Sequence, residues 1–425
     1  MKNYLIIGAG PAGISTAVAL KQRGISFDLV EAGENVGGIW DISRSQTPMY
    51  QSAHFISSKK LSGFSDFPMP DHFPDYPGHA LVQAYLEDYV AHHQLTSHIQ
   101  THTRVLNATP EQKRWVVSFE GKDAVSYDGL ICATGVTWFK NEPDHVRDFS
   151  GQYLHSFDYR DPSLFSWKRV LIIGGGNSGC DIACDAASAA KEAYISLRRG
   201  YYFIPKYIMG MPADEYKAKF SLPGKLDTWI SQMMLNKLLV GDLTRYGLQK
   251  PDHQLMQSHP IINDQLIHYL GHGDILAKPD VQQIEGQQVT FSDGSKVEVD
   301  VIIAATGYKR CFPFLDPNHL DIGGTDQEHD FYLEIFSRKF ENLFFVGGIE
   351  VSSAVFGLLG LQGQLIASFL AQESTDKIRQ FNHLKNAVRN DSRKGLKMIP
   401  SERHRRYVEK THYRKKLHQA IQSLS

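Results

Sequence analysis

Cysteine is scarce in this chain, and the four that occur fit no metal or redox pattern. Cys132, Cys180, Cys184 and Cys311 are the whole set in 425 residues, with no C-x-x-C, C-x4-C or zinc-ligand spacing. A reductase that works through a disulfide needs a redox-active pair, so that branch is strongly disfavoured. Cys180 and Cys184 are one helical turn apart, which suits a packed helix face, and a reducing cytoplasm is the expected location. Charge of one sign is also lacking. The formal net charge is −1, so no global field draws nucleic acid or an acidic membrane. Long apolar runs are missing as well. The longest stretch, Ala354 to Ala371, is broken by Gly360, Gln362, Gly363 and Gln364, and reads as a buried helix with its entry loop, not as a membrane span. Strand-like residues begin at Tyr4, so no secretory leader is expected. No metal site is expected. His259 shows no ligand spacing, and Gly271 and Gly273 around His268 and His272 favour a loop over a helical metal face.

What is present is glycine in two particular places. "YLIIGAGPAGISTAVALKQRGISFDLVEAG" reads as strand, tight turn, helix and second strand, because parallel strands need a crossover helix. Gly8, Gly10, Pro11, Ala12 and Gly13 supply a G-x-G-x-x-G turn in the required context. Gly8 permits the turn, Gly10 lets a pyrophosphate approach the backbone, and Gly13 lets helix and strand pack. Glu31, about 20 residues on, is placed for ribose hydroxyls. Gly38, Ile39 and Trp40 follow in a Gly-Gly loop whose backbone can approach a cofactor and whose Trp can line its ring. The pattern recurs from Arg169 to Gly200. Gly174, Gly176, Asn177, Ser178 and Gly179 form the second turn, and no acidic residue occupies its ribose position. Ser196, Arg198 and Arg199 stand there instead as donors to a 2′-phosphate. That favours NADP(H) over NAD(H) at the second site. A second nucleotide site in turn favours FAD over NAD at the first.

Two more apolar strands stop at Ala-Thr-Gly, at Gly135 and at Gly307. They read as the places where the chain leaves the first nucleotide domain and returns to it. The expected fold is α/β, two dinucleotide-binding Rossmann-like domains, with the NADP domain inserted into the FAD domain. The expected spans are 1–157 and 297–382 for the FAD domain, 158–296 for the NADP domain, and 383–425 for a helical tail. In that tail Tyr413, Leu417, Ile421 and Leu424 fall at helical spacing. Arg414, Lys415 and Lys416 lie on its other faces, those of a solvated helix packed on the surface.

Between the two glycine turns lies "DFSGQYLHSFDYR". Its Phe149, Gly151, His155 and Tyr159 match in full the F-x-G-x-x-x-H-x-x-x-[Y/F] signature of flavin-containing monooxygenases. "GGGNSGCDIA", "AATGY" and "SSKKLSGFSDFPMP" are similar to further blocks of that family, and the chain resembles it from Tyr4 through at least Gln364. The resemblance implies FAD and NADPH as cofactors. It also implies a C4a-(hydro)peroxyflavin that passes one atom of O2 to a soft nucleophile, an amine nitrogen or a sulfide, of a small molecule. A homodimer is what the family implies for assembly. Baeyer–Villiger enzymes usually carry Trp where Tyr159 stands, so that chemistry ranks second, beside an oxidase releasing H2O2. In such a cycle the flavin carries the chemistry and no side-chain nucleophile is needed. His155 and Tyr159 then shape the hinge between domains.

One departure bears on coupling. Many family members carry Asn before "SSK", and Ile56 occupies that slot here, with no hydrogen-bonding capacity. Either His54, Ser57 or Ser58 substitutes, or peroxide leaks. The resemblance further places Val105 by the adenine. It places Gln362 at the opening of a helix under the flavin, against the plain alternative of a polar residue in a helix-entry loop.

Overall fold

The computed structural model describes residues 2–220, 224–320, 322–323, 328–388, 398–399 and 403–425. Strand β1 (Asn3–Ile7) enters the first glycine turn, then helix α1 (Pro11–Gln22) and strand β2 (Ser26–Val30). Helix α2 (His79–His92) leads to the short strand β3 (Ile99–Gln100). An antiparallel meander follows, made of β4 (Val105–Glu111), β5 (Arg114–Phe119) and β6 (Lys122–Tyr127), and then β7 (Gly129–Cys132). After a crossing come β8 (Gln152–His155), β9 (Arg169–Ile173), α3 (Asn177–Ala189) and β10 (Glu192–Ser196). Helix α4 (Gln265–His272), β11 (Ile275–Lys278) and β12 (Val301–Ala304) complete the second unit. The chain then recrosses to β13 (Leu343–Phe345), α5 (Phe356–Leu370), α6 (Thr375–Ala387) and α7 (Lys410–Leu424).

Two five-stranded parallel sheets result, ordered β13-β7-β1-β2-β3 and β11-β10-β9-β12-β8. Their central strands are unbroken apolar runs because both faces are covered. On the first sheet, α1, α5 and α7 cover one face through Ile14, Val18, Leu365 and Leu417. The meander covers the other through Trp115 and Val117, joined by Phe312, Phe314 and Phe331. Cys132, Cys180 and Cys184 are buried and all four cysteines are free thiols.

Three expected boundaries shift. Strands β8 and β12 both belong to the second sheet, where Ile302 pairs with Leu171 and with Tyr153. The borders at 157/158 and 296/297 therefore move outward past these strands. The reason is that β7 and β12 are equivalents, each flanking the central strand of its own sheet. The second Ala-Thr-Gly is thus the end of a second-sheet strand, and the return begins beyond Gly307. The border at 382/383 falls inside α6, where Phe381 and Lys385 are both buried. Within the expected tail, 389–397 and 400–402 lie outside the described residues. The rest packs as its periodicity implies, with Tyr413 and Leu417 fully buried and Leu424 nearly so.

His268 and His272 also differ from expectation, since both lie on α4, with Gly273 ending it at φ 82°. No cluster of metal-binding side chains forms among the described residues. No helix among them is long and apolar enough to cross a membrane.

Tyr413 ties the last helix to the core. Its hydroxyl donates to Leu333 O at 2.6 Å and accepts from Gln362 Nε2 at 2.7 Å. Tyr413→Phe strands both partners in the interior, which costs about 1–3 kcal/mol. The expected result is a lower denaturant midpoint with an unchanged far-ultraviolet spectrum.

Candidate functional site

At the carboxyl end of β1 the backbone turns at Gly8 with φ 106°. A Cβ on Gly13 would lie 1.9 Å from Gly8 O, so no other residue lets α1 sit this close to its strand. Gly10 caps α1 without any side-chain hydrogen bond, which leaves the first-turn N–H groups aimed outward. A helix start of this kind is an anion site. Gly38 stacks directly over Gly10, since a Cβ there would meet Gly10 Cα at 3.0 Å. Ile39 and Trp40 complete a short helical turn after it, and the Trp40 ring meets Phe55 edge-on at 4.7 Å.

Glu31 is buried just past the end of β2. Its carboxylate accepts from Ala9 N at 2.9 Å, Gly33 N at 2.7 Å and the Arg44 guanidinium. A carboxylate has about four acceptor positions, so one remains for a ribose hydroxyl. The segment 102–103 hydrogen-bonds to the backbone of Glu31 and Gly33, bringing Val105 to the start of β4 beside this site.

The second turn repeats the geometry. Gly174 has φ 119°, a Cβ on Gly179 would lie 2.1 Å from Gly174 O, and Gly176 caps α3 without a side chain. Asn177 and Ser178 open that helix. The Asn177 side chain faces the 259–262 segment, accepting from Ile262 N at 3.0 Å and lying 3.4 Å from His259 Nε2. Past β10, Arg198 is exposed and Arg199 partly so. Ser196 departs from expectation. It is buried and its hydroxyl donates to Pro279 O at 2.7 Å, so the proton needed for a phosphate is already committed.

The signature between the turns is a stitched seam. His155 is fully buried, with Nε2 donating to Gly307 O at 3.1 Å while Nδ1 accepts from Phe157 N. Burial pushes its pKa down, so it stays neutral in this role. The two crossings run side by side, Thr306 Oγ1 donating to Asn141 O at 2.6 Å and Asn141 N to Gly307 O. Gly151 is wedged between the Phe149 ring and Asp300 O, where a Cβ would lie 2.5 and 2.7 Å away. Tyr159 donates at 2.8 Å to Asp185 on α3, and Ser52 from the first unit donates to the same oxygen at 2.6 Å.

One turn earlier on α3, Asp181 accepts from Tyr50 at 3.1 Å and from Asn263 at 2.8 Å. Burial raises the pKa of both aspartates, and His54 and Lys206 partly oppose this at Asp181. His54 is itself engaged, Nδ1 with Ser52 O at 2.8 Å and Nε2 with the Lys206 amine. Asp185, Ser52 and Lys206 lie outside every motif, and Asp181 falls inside the "GGGNSGCDIA" block without a role assigned to it. The available signal was two aspartates four apart just after the second turn, which places them on one helix face.

Ile56 lines a cavity of about 270 Å³ together with Phe55, Ser57, His259, Glu350 and Phe356. Of the residues expected to stand in for an Asn there, Ser57 exchanges a hydrogen bond with Ser62 at 2.8 Å and His54 points to Lys206. Ser58 Oγ is buried without a partner, and Ser58 is not part of the lining. Gln362 departs from its expected place too. It lies in the middle of α5, fully buried, with Oε1 accepting from Gly347 N at 3.0 Å and Nε2 donating to Tyr413. The helix begins at Phe356, well before it, so its amide braces the core and does not open the helix.

Set beside known proteins, the chain matches the family model for flavin-binding monooxygenase-like proteins over residues 1–422. Flavin-containing monooxygenase 5 of Mus musculus is 30% identical over 391 residues, covering 85% of this chain and 72% of that protein. S-allyl-L-cysteine S-oxygenase from Allium sativum shares the fold with a TM-score of 0.67 at 23% identity, over 99% of this chain and 88% of that one. A structure of OTEMO in complex with FAD and NADP aligns with a TM-score of 0.70 at 19% identity, over 99% and 98% of the two chains.

The raised pKa of Asp181 sets a pH dependence. The folded state holds this proton more tightly than the unfolded state. Stability therefore falls as pH climbs from the ordinary carboxylate value through the raised one. Asp181→Asn cannot ionise and keeps one acceptor oxygen. It is expected to melt above the parent at neutral pH, with the gap closing as the buffer approaches pH ~4. A gap independent of pH would remove the buried charge from the account.

Proposed function

The chain belongs to the family of flavin-binding monooxygenase-like proteins, and from that membership we propose how its residues divide the work. It is an FAD- and NADPH-dependent flavoprotein monooxygenase, an oxidoreductase that places one oxygen atom of O2 on a heteroatom of a small molecule. FAD, once bound and reduced by NADPH, supplies the chemistry that activates oxygen.

The observation that carries the proposal is the pair of uncapped helix starts, α1 and α4's neighbour α3, held in one molecule by the Asp185 seam. In this reading Gly8, Gly10, Pro11, Ala12 and Gly13 seat the FAD diphosphate. Glu31 holds the ribose, and Val105 and the 38–40 loop flank the adenine and ring ends. Gly174 to Gly179 seat the NADP diphosphate, and Arg198 and Arg199 take the 2′-phosphate without help from Ser196. Phe55, Ile56 and Phe356 make the reaction cavity largely apolar, which excludes water and strengthens the polar contacts that remain. A cavity of about 270 Å³ suits a small amine or sulfide. A cytoplasmic homodimer is part of the same proposal, its location supported by four cysteines that are all thiols.

A second reading rests on Ile56. With Ser57 tied to Ser62 and His54 to Lys206, neither of these stands in for the amide of the related enzymes. Part of the reducing power then leaves as H2O2.

Two measurements test these assignments. Arg198→Ala and Arg199→Ala should each raise KM for NADPH about tenfold, the loss of one charge-assisted hydrogen bond, and leave KM for NADH alone. Equal effects on both nucleotides would move the phosphate elsewhere. With a methyl sulfide or tertiary amine as substrate, the parent should form the oxide and also release peroxide. Ile56→Asn should shift the ratio toward the oxide, whereas peroxide as the parent's sole product would establish the oxidase.

A further inference from the structure

Arg310 lies two residues beyond the Ala-Thr-Gly-Tyr block, where no motif reaches it. Its guanidinium is packed among the rings of Phe312, Phe331 and Phe345, at 5.2, 5.1 and 5.9 Å from their centroids. It rests flat on the backbone of Gly348, because a Cβ there would lie 2.3 Å from one terminal nitrogen and 2.7 Å from Cζ. Its Nε is buried with no hydrogen-bond partner, and Arg310 forms no ion pair among the described residues. Glu334 favours its charge from a distance, and Arg406 opposes it. Burial pushes its pKa down to about 10, which still leaves it protonated at neutral pH. A cation whose Nε is buried without a partner is expensive, and Glu334 acts on it without forming an ion pair with it. The fork keeps the capacity to donate to an anion.

The location says which anion that is. Gly348 follows Gly347, where a Cβ would lie 2.9 Å from the Cβ of Ala12 in the first turn of α1. Cys132, whose thiol feels the Arg310 charge, ends β7 directly opposite Ile7, the last residue before the first glycine turn. The guanidinium therefore stands at the carboxyl ends of three adjacent strands of the first sheet, where ligands of open α/β sheets bind. It lies on the opposite side of the sheet from α1. An anion at the α1 terminus is thus flanked by helix N–H groups on one side and by the Arg310 fork on the other.

We infer that Arg310 is a further FAD-binding residue, whose guanidinium donates to the diphosphate seated at the start of α1. The inference rests on the assignment of FAD to the first turn. The planar fork matches phosphate oxygens, and the three rings hold it in place by cation–π contact. Gly348 is glycine because a side chain would displace the fork.

The purified holoenzyme tests this. Arg310→Met keeps the volume and the ring contacts but removes the charge. It should raise the FAD dissociation constant at least tenfold, read from the fluorescence of FAD released on dilution, and leave the midpoint potential of the bound flavin unchanged. Arg310→Lys keeps the charge without the fork and should give a smaller rise. Gly348→Ala pushes the fork from its seat and should approach the Met variant. A Met variant that holds FAD as tightly as the parent overturns the inference. So does a lower potential at unchanged affinity, which would move the contact to the flavin ring. So does a Met variant that cannot fold in saturating FAD while Gly348→Ala binds FAD normally, which would make the role structural. A parent protein purified without any flavin would instead bring down the FAD assignment itself.

Discussion

One half-buried carboxylate oxygen holds the two nucleotide units in register. Asp185 on α3 accepts from Tyr159 of the crossing and from Ser52 of the first unit, so the second helix start cannot shift without breaking both bonds. Burial raises the pKa of this carboxyl against the pull of its two donors. The seam is therefore satisfied but not free of cost. That combination suits a joint that must be specific in direction without locking the molecule. The neighbouring Asp181, with Tyr50, Asn263, His54 and Lys206 around it, adds a second set of polar contacts across the same face.

From that seam the rest of the arrangement follows. Each sheet presents the end of its central strand to a glycine turn, and each turn hands the chain to a helix with an uncapped start. The two crossings are hydrogen-bonded to one another and to His155, whose neutral ring donates from one nitrogen and accepts with the other. A protonated imidazole could not accept from Phe157 N, so the depressed pKa is what lets the signature histidine do both jobs. The stretch from Phe149 to Tyr159 thus acts through structure, bonding the chain crossings to each other and to α3.

Much of this was legible in the sequence because glycine turns announce themselves. Gly8, Gly13, Gly174 and Gly179 sit where backbone contact forbids any larger residue, and such positions are readable as motif. The tail helix was legible from the spacing of Tyr413, Leu417 and Leu424. The second Ala-Thr-Gly strand was not assigned correctly. An apolar run states that a strand is buried on both faces, but not which sheet it joins, and only its pairing with Leu171 decides that. Ser196 and Gln362 failed for a related reason. Residue type gives a donor or an acceptor, while the partner is set by whatever the fold brings near, here Pro279 O and the Tyr413 hydroxyl.

Arg310 shows where motif reading stops altogether. Its meaning depends on Gly348, Cys132 and three phenylalanines drawn from distant parts of the chain, and no spacing rule connects them. What connects them is an energetic constraint, since a guanidinium with a buried, unpartnered Nε and no ion pair among the described residues calls for an acceptor. The same constraint explains why Glu31 is so heavily bonded at the other end of the first site. There a buried carboxylate is balanced by Arg44 and two backbone N–H groups. The first sheet therefore carries a carboxylate with one acceptor position open at its ribose end and a guanidinium with an unpartnered Nε at its phosphate end. An anionic dinucleotide laid across the strand ends, diphosphate toward Arg310 and ribose toward Glu31, completes both.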